Sequence, residues 1–196
     1  MRNGFLRKAL RLLPGLLLWA LISILFWTWI FNFLTDTDRR YKVTVFVNMH
    51  LLRDQDLAIA LEEDLPAGIR MVQVHSFDYA LMDSTSLETA DLYIMTERQA
   101  REHPEWLCPL PASLAASADT LMLEGNAVGL LLGTAGENAH LTDSSENPAS
   151  AYLNYAEAPG EPWYLCFGQG GYHLSFLENG KDDAALPVAL RLLTLK

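Results

Sequence analysis

Tyr41-Lys42-Val43-Thr44-Val45-Phe46-Val47-Asn48-Met49 is the stretch that decides the fold. It alternates and is β-branched, so it reads as a strand. Arg53 to Leu65 follows, with Leu57, Ala58, Leu61 and Leu65 at helical spacing, and Pro66-Ala67-Gly68 stops it. Ile69 to Val74 has the character of a second strand. Asp78 to Leu87 is weakly helical, and Ala90-Asp91-Leu92-Tyr93-Ile94-Met95-Thr96 is a third short strand. Glu97 to Trp106 reads as a brief polar helix, ended by Cys108-Pro109-Leu110-Pro111. A β-α-β-α-β order of this kind predicts a mainly parallel sheet covered by helices in three layers, with right-handed crossovers setting the strands side by side.

Toward the N-terminus the chain changes character. Leu12 to Leu34 is an uncharged run of 23 residues behind a basic tail. At about 1.5 Å of rise per helical residue it is long enough to cross a hydrocarbon core of roughly 30 Å. A cleaved signal peptide would have an apolar core of about 7–15 residues and a small-x-small cleavage site. This run is longer and leaves through Thr28-Trp29-Ile30-Phe31-Asn32-Phe33-Leu34-Thr35-Asp36, without such a site. Arg2, Arg7, Lys8 and Arg11 precede the span, whereas Arg39, Arg40 and Lys42 follow it. The excess of basic residues on the short tail predicts a cytoplasmic N-terminus. The expected organisation is a basic tail at 1–11, a transmembrane anchor at 12–34, a juxtamembrane linker at 35–40 and an extracytoplasmic α/β domain at 41–196.

Beyond the proline segment, Thr120 to Leu132 looks like two short strands around a Glu124-Gly125-Asn126 turn. Gly136 to Pro159 reads as a long surface loop or partial helix, and Glu161 to Phe167 as a further strand. Lys181 to Leu195 is the best helix of the domain, with Asp182 and Asp183 expected in its first turn and Arg191 near its end.

Charge excludes some functions. The chain carries −10 overall, and because its first 34 residues hold four basic and no acidic groups, residues 35–196 carry −14. Such a surface repels nucleic acid and supports solubility. Cys108 and Cys166 are 58 residues apart; an oxidising compartment permits a disulfide, and burial as small apolar side chains is the other reading. HExxH, a phosphate-binding loop and a nucleophile elbow are all missing. Gly168-Gln169-Gly170-Gly171 reads as a strand-to-strand turn, and Glu62-Glu63-Asp64 as a solvated face. No catalytic residue, metal ligand or cofactor is expected. In open α/β sheets ligands sit beyond the carboxyl ends of the strands, which points to His50, Ser76, Phe77 and Tyr79 as the edge for a small solute.

The strand-helix-strand succession, "ADLYIM", the "LEGNAVGLLLG" hairpin and the closing "KDDAALPVALRLL" resemble the first lobe of the periplasmic-type solute-binding proteins of ABC importers. The likeness is spread over residues 41–133 and 161–195. It implies a single lobe of that fold, because only about 30 residues between Gly133 and Trp163 are left for a second one. A clamp closing on a solute then cannot be formed by this chain alone. The expectation is a single-pass bacterial membrane protein, held in the lipid bilayer by residues 12–34, with its domain extracellular or periplasmic. Its role would be that of a non-catalytic accessory or interaction module beside a transporter or envelope complex. The alternative is a tethered solute-binding or ligand-sensing protein.

Overall fold

The computed structural model describes residues 2–35, 37–49, 51, 54–63, 65–76, 87–116, 119–134, 152–153 and 160–194. The chain divides into two units, Met1–Asp38 and Arg39–Lys196. The first is one long helix, α1 (Arg2–Thr35), with Pro14 inside it. Its segment Leu13–Ile30 has a mean hydropathy of 1.9 over 18 residues, none of it buried. By length and composition α1 is long enough and apolar enough to cross a membrane. Within it the Thr28 hydroxyl donates to the Ile24 carbonyl at 2.8 Å, which satisfies a polar side chain inside an apolar stretch.

The second unit is an α/β domain with a six-stranded mixed sheet. Its elements are β1 (Lys42–Val47), α2 (Asp54–Glu62), β2 (Met71–Ser76), β3 (Leu92–Thr96), α3 (Glu97–Glu102), α4 (Ala112–Ala115), β4 (Thr120–Leu123), β5 (Asn126–Thr134), β6 (Pro162–Phe167) and α5 (Ala185–Thr194). The strand order is β2-β1-β3-β6-β5-β4. β1 pairs in parallel with β2, from Lys42↔Met71 to Val47↔Ser76, and with β3, from Val45↔Leu92 to Val47↔Ile94. β6 runs antiparallel between β3 and β5, and β4 and β5 form an antiparallel hairpin. The expected mainly parallel sheet is therefore corrected to a mixed one. The parallel pairings are confined to β1, β2 and β3; β6 and the β4–β5 hairpin add three antiparallel pairings, whose direction depends on which edge the distant segment meets and not on the local pattern of the strand.

Burial follows the two-residue period of the strands. Val43, Val45 and Val47 of β1, Leu92 and Ile94 of β3, and Trp163, Leu165 and Phe167 of β6 join one core with Leu57 and Leu61 of α2 and Ala185, Val188, Ala189 and Leu192 of α5. Phe46, Tyr93, Met95 and Cys166 face the other way and meet Ala100 of α3, Leu107 and the partly buried Trp106. β1 and β3 are central strands buried on both faces, which explains their nearly unbroken apolar sequences.

The β4–β5 hairpin turns at Glu124 (φ 51°) and Gly125 (φ 86°), the two positive angles that a two-residue turn of this hand needs. α5 begins at Ala185, so Asp182 and Asp183 lie before its first turn and not in it. Their carboxylates are turned to His173 and Ser175 instead. The two cysteines are free and buried in opposite cores, Cys108 with the α2/α5 cluster and Cys166 with the α3 cluster. Burial pushes the Cys108 thiol up to about 12 and raises the Cys166 thiol as well, which favours the protonated form of both.

Candidate functional site

The carboxyl ends of β1, β2 and β3 form one edge, where sequence reasoning placed a ligand. Ser76 closes β2 there, half-buried and in register with Val47. His50, Phe77 and Tyr79 lie outside the described residues. The polar groups along the rest of the edge are committed to local structure. Thr96 begins α3 with a reciprocal cap: its hydroxyl accepts the Gln99 amide at 3.3 Å, while Gln99 Oε1 accepts the Thr96 amide at 2.8 Å. Gln99 Nε2 then donates to the Asn48 carbonyl at 3.1 Å and ties α3 to the end of β1.

Beside this edge, α3 and the start of β6 border an open groove of about 460 Å³, lined by Glu97, Arg98, Arg101, Glu102, Glu161 and Pro162. Its charges are cross-compensated. Arg101 is 2.6 Å from Glu97, and Arg98 is 3.6 Å from Glu102 and 3.7 Å from Glu161. A second open groove, of about 630 Å³, runs along α2 past Ile59, Glu62 and Tyr152. The expected solvated acidic face is only partly that. Glu62 Oε1 accepts the amide of Val72 on the edge strand at 3.1 Å, and Glu63 pairs with Arg191 of α5. Glu62 thus covers one free donor of a sheet edge.

A dense polar constellation among the described residues is at the opposite edge, beside the amino ends of the same strands. Asp91, 2% exposed, precedes β3. Its Oδ2 accepts the Thr44 amide of β1 at 2.9 Å, and its Oδ1 accepts the amides of Tyr172 and His173 at 2.7 and 3.0 Å. Burial raises the Asp91 carboxyl above its ordinary value; the three amides and the nearby His173 ring pull the other way. His173 is fully buried between Asp182 and the Arg39 carbonyl. Arg39 in turn donates to the carbonyls of Thr89 (2.9 Å) and Gly170 (2.8 Å), and its guanidinium lies 5.8 Å from the Tyr172 ring centre. Tyr93 reaches the Leu87 carbonyl from the same region, and burial, with Asp91 behind it, pushes its hydroxyl up.

Local sequence builds this cluster. A side chain at Gly168 would collide with the Ala90 carbonyl, and one at Gly170 with the Glu88 carbonyl, so the glycine-rich loop packs flat on the segment that leads to β3. The amides of Gly168, Gln169 and Gly171 are spent on the Asp91, Trp106 and Gly168 carbonyls, respectively. The loop is also not the strand-to-strand turn expected of it: no strand follows β6 among the described residues, and the chain passes through an irregular segment into α5. Sequence reasoning passed over Asp91 and His173. The available signal was a lone carboxylate heading an otherwise apolar strand, where only full hydrogen bonding makes burial tolerable.

Chemically, the cluster holds the fold together; its oxygens face amides and its ring faces oxygens. Among the described residues no group of three or more His, Cys, Asp or Glu is arranged to hold a metal ion. No family model, no curated protein and no solved structure matches this chain.

Proposed function

We propose that this chain is a membrane-anchored, extracytoplasmic, non-catalytic accessory or interaction module, built on a lobe like that of the solute-binding proteins and working beside a transporter or another envelope complex. The observation that carries the reading is Leu13–Ile30, free of charged residues, with a mean hydropathy of 1.9 and none of it buried. A core helix of a soluble protein hides at least one face, whereas a helix apolar all round calls for lipid or partner helices. Four basic residues before the span favour a cytoplasmic N-terminus and a domain on the far side.

What supports the lobe is the order of elements: β1-α2-β2, then β3, then the β4–β5 hairpin, as the resemblance implies. The described residues supply one six-stranded sheet, so a two-lobed clamp would need a second lobe beyond them. A tethered ligand sensor is the second reading, favoured by the edge where Val47, Ser76 and Thr96 end three parallel strands side by side.

The test is crosslinking of the full-length protein in its native membrane, followed by identification of what is recovered. The accessory reading expects a particular permease or envelope complex, lost when residues 12–34 are replaced by a neutral poly-Leu span or when residues 41–196 are deleted. Recovery equal to that of the anchor alone defeats it. A solute that raises the melting temperature of the full-length protein would then establish the sensor.

A further inference from the structure

His173 is 0% exposed, and each of its ring nitrogens faces an oxygen. Nδ1 lies 2.7 Å from Asp182 Oδ1, and Nε2 lies 2.8 Å from the Arg39 carbonyl. A carbonyl oxygen only accepts, so Nε2 carries a hydrogen. Asp182 Oδ1 also accepts the Ala184 amide at 3.0 Å, which marks this oxygen as an acceptor. Nδ1 must then carry a hydrogen as well. Only the imidazolium donates from both nitrogens.

We propose that His173 is a proton-operated clasp on Arg39, the first residue of the domain, closed while the ring is charged and released when the ring loses its proton. A neutral ring keeps one N–H. Whichever nitrogen retains it, the other turns a lone pair toward an oxygen, and one of the two contacts becomes repulsive. Keeping the bond to the Asp182 carboxylate is favoured, since a charged acceptor makes the stronger hydrogen bond. The contact that opens is therefore the one to Arg39.

The surroundings are consistent with this. Asp182 of the segment before α5 and Asp91 before β3 both favour the charged ring, while Asp183 is turned away to Ser175. Opposing charges among the described residues are the Arg39 guanidinium, engaged by the Thr89 and Gly170 carbonyls, and Arg40 and Lys181, which adjoin the two partners of the ring in sequence. The Tyr172 ring meets the imidazole edge-on, with ring centres 5.0 Å apart. The clasp is independent of the membrane reading, because every group in it belongs to residues 39–196.

The experiment uses the full-length chain in detergent micelles, labelled with nitrogen-15 histidine, from about pH 5 to about pH 8. Ring nitrogen shifts, assigned by their loss in His173→Gln, report the charge; hydrogen exchange of residues 39–41, corrected for its intrinsic pH dependence, reports the clasp. The expected result is an imidazolium at the acidic end and protection that falls about tenfold or more as the ring is neutralised. Asp182→Asn offers a rotatable amide that can donate to an unprotonated Nδ1, so its protection stays flat with pH. A ring charge that does not change over this range overturns the clasp. So does protection that ignores the charge, or a pH response kept in full by Asp182→Asn. If that variant fails to fold, the wild-type comparison of ring charge with exchange decides alone.

Discussion

The two ends of the parallel strands use charge in opposite ways. At the amino ends Asp91 and His173 are buried and every named polar atom has a partner; at the carboxyl end of β3, Arg98, Arg101 and their glutamates form pairs in water. A buried charge is tolerated only when its bonds are complete, and breaking one leaves the rest exposed to the full desolvation cost. An exposed pair gives back most of its Coulomb energy to solvent and to side-chain entropy. The hydrogen-bonded end therefore carries more of the stability of the fold than the ion-paired end.

This contrast is most directly broken by Asp91→Ala, which leaves the Thr44, Tyr172 and His173 amides without their acceptor. A loss of about 4 kcal/mol or more is expected in urea unfolding, against less than about 1 kcal/mol for Ser76→Ala at the other end. Equal midpoint shifts for the two would remove the distinction.

Asp91→Asn sharpens it through pH. Because burial raises the Asp91 carboxyl in the folded state, the folded protein holds that proton more tightly than the unfolded chain does. The associated stability is fully present below the ordinary value of 3.8 and is lost as pH climbs from there through the raised value. The wild type should therefore lose stability relative to Asp91→Asn over that rise. Parallel stability curves for the two proteins would contradict the buried-carboxyl account.

Gly125→Ala places a side chain at φ 86° in the β4–β5 turn and should cost about 1 kcal/mol by thermal melting. At the bottom of the scale, Arg98→Ala removes two exposed contacts and should move stability by less than about 0.5 kcal/mol. A larger effect would mean that the α3 groove is held more tightly than its exposure implies. Both cysteines, kept protonated by burial, should resist thiol reagents in the native protein and react on unfolding.

The long apolar helix, the strands β1, β2, β3 and β6, and the β4–β5 hairpin are legible in the sequence, because each is specified by neighbours: composition, a two-residue period, or a turn that demands positive angles; the expected three-residue turn shortens to Glu124-Gly125, with Asn126 already in β5. Helix ends are less so. Asp182 and Asp183 look like first-turn residues of α5 until His173 and Ser175 compete for them. The candidate ligand edge is legible only as topology, and of its four residues Ser76 alone falls among those described.

Sequence by itself determined that an apolar span precedes an acidic α/β domain, since hydrophobic length and periodicity are local properties of the chain. Tertiary structure decided the rest. It set β6 antiparallel between β3 and β5, placed the two cysteines in opposite cores, and joined Asp91 to residues 47 and 82 positions away. The physical reason is that strand direction and buried hydrogen bonds depend on which distant segments meet, and a buried charge acquires its meaning only from the partners that surround it.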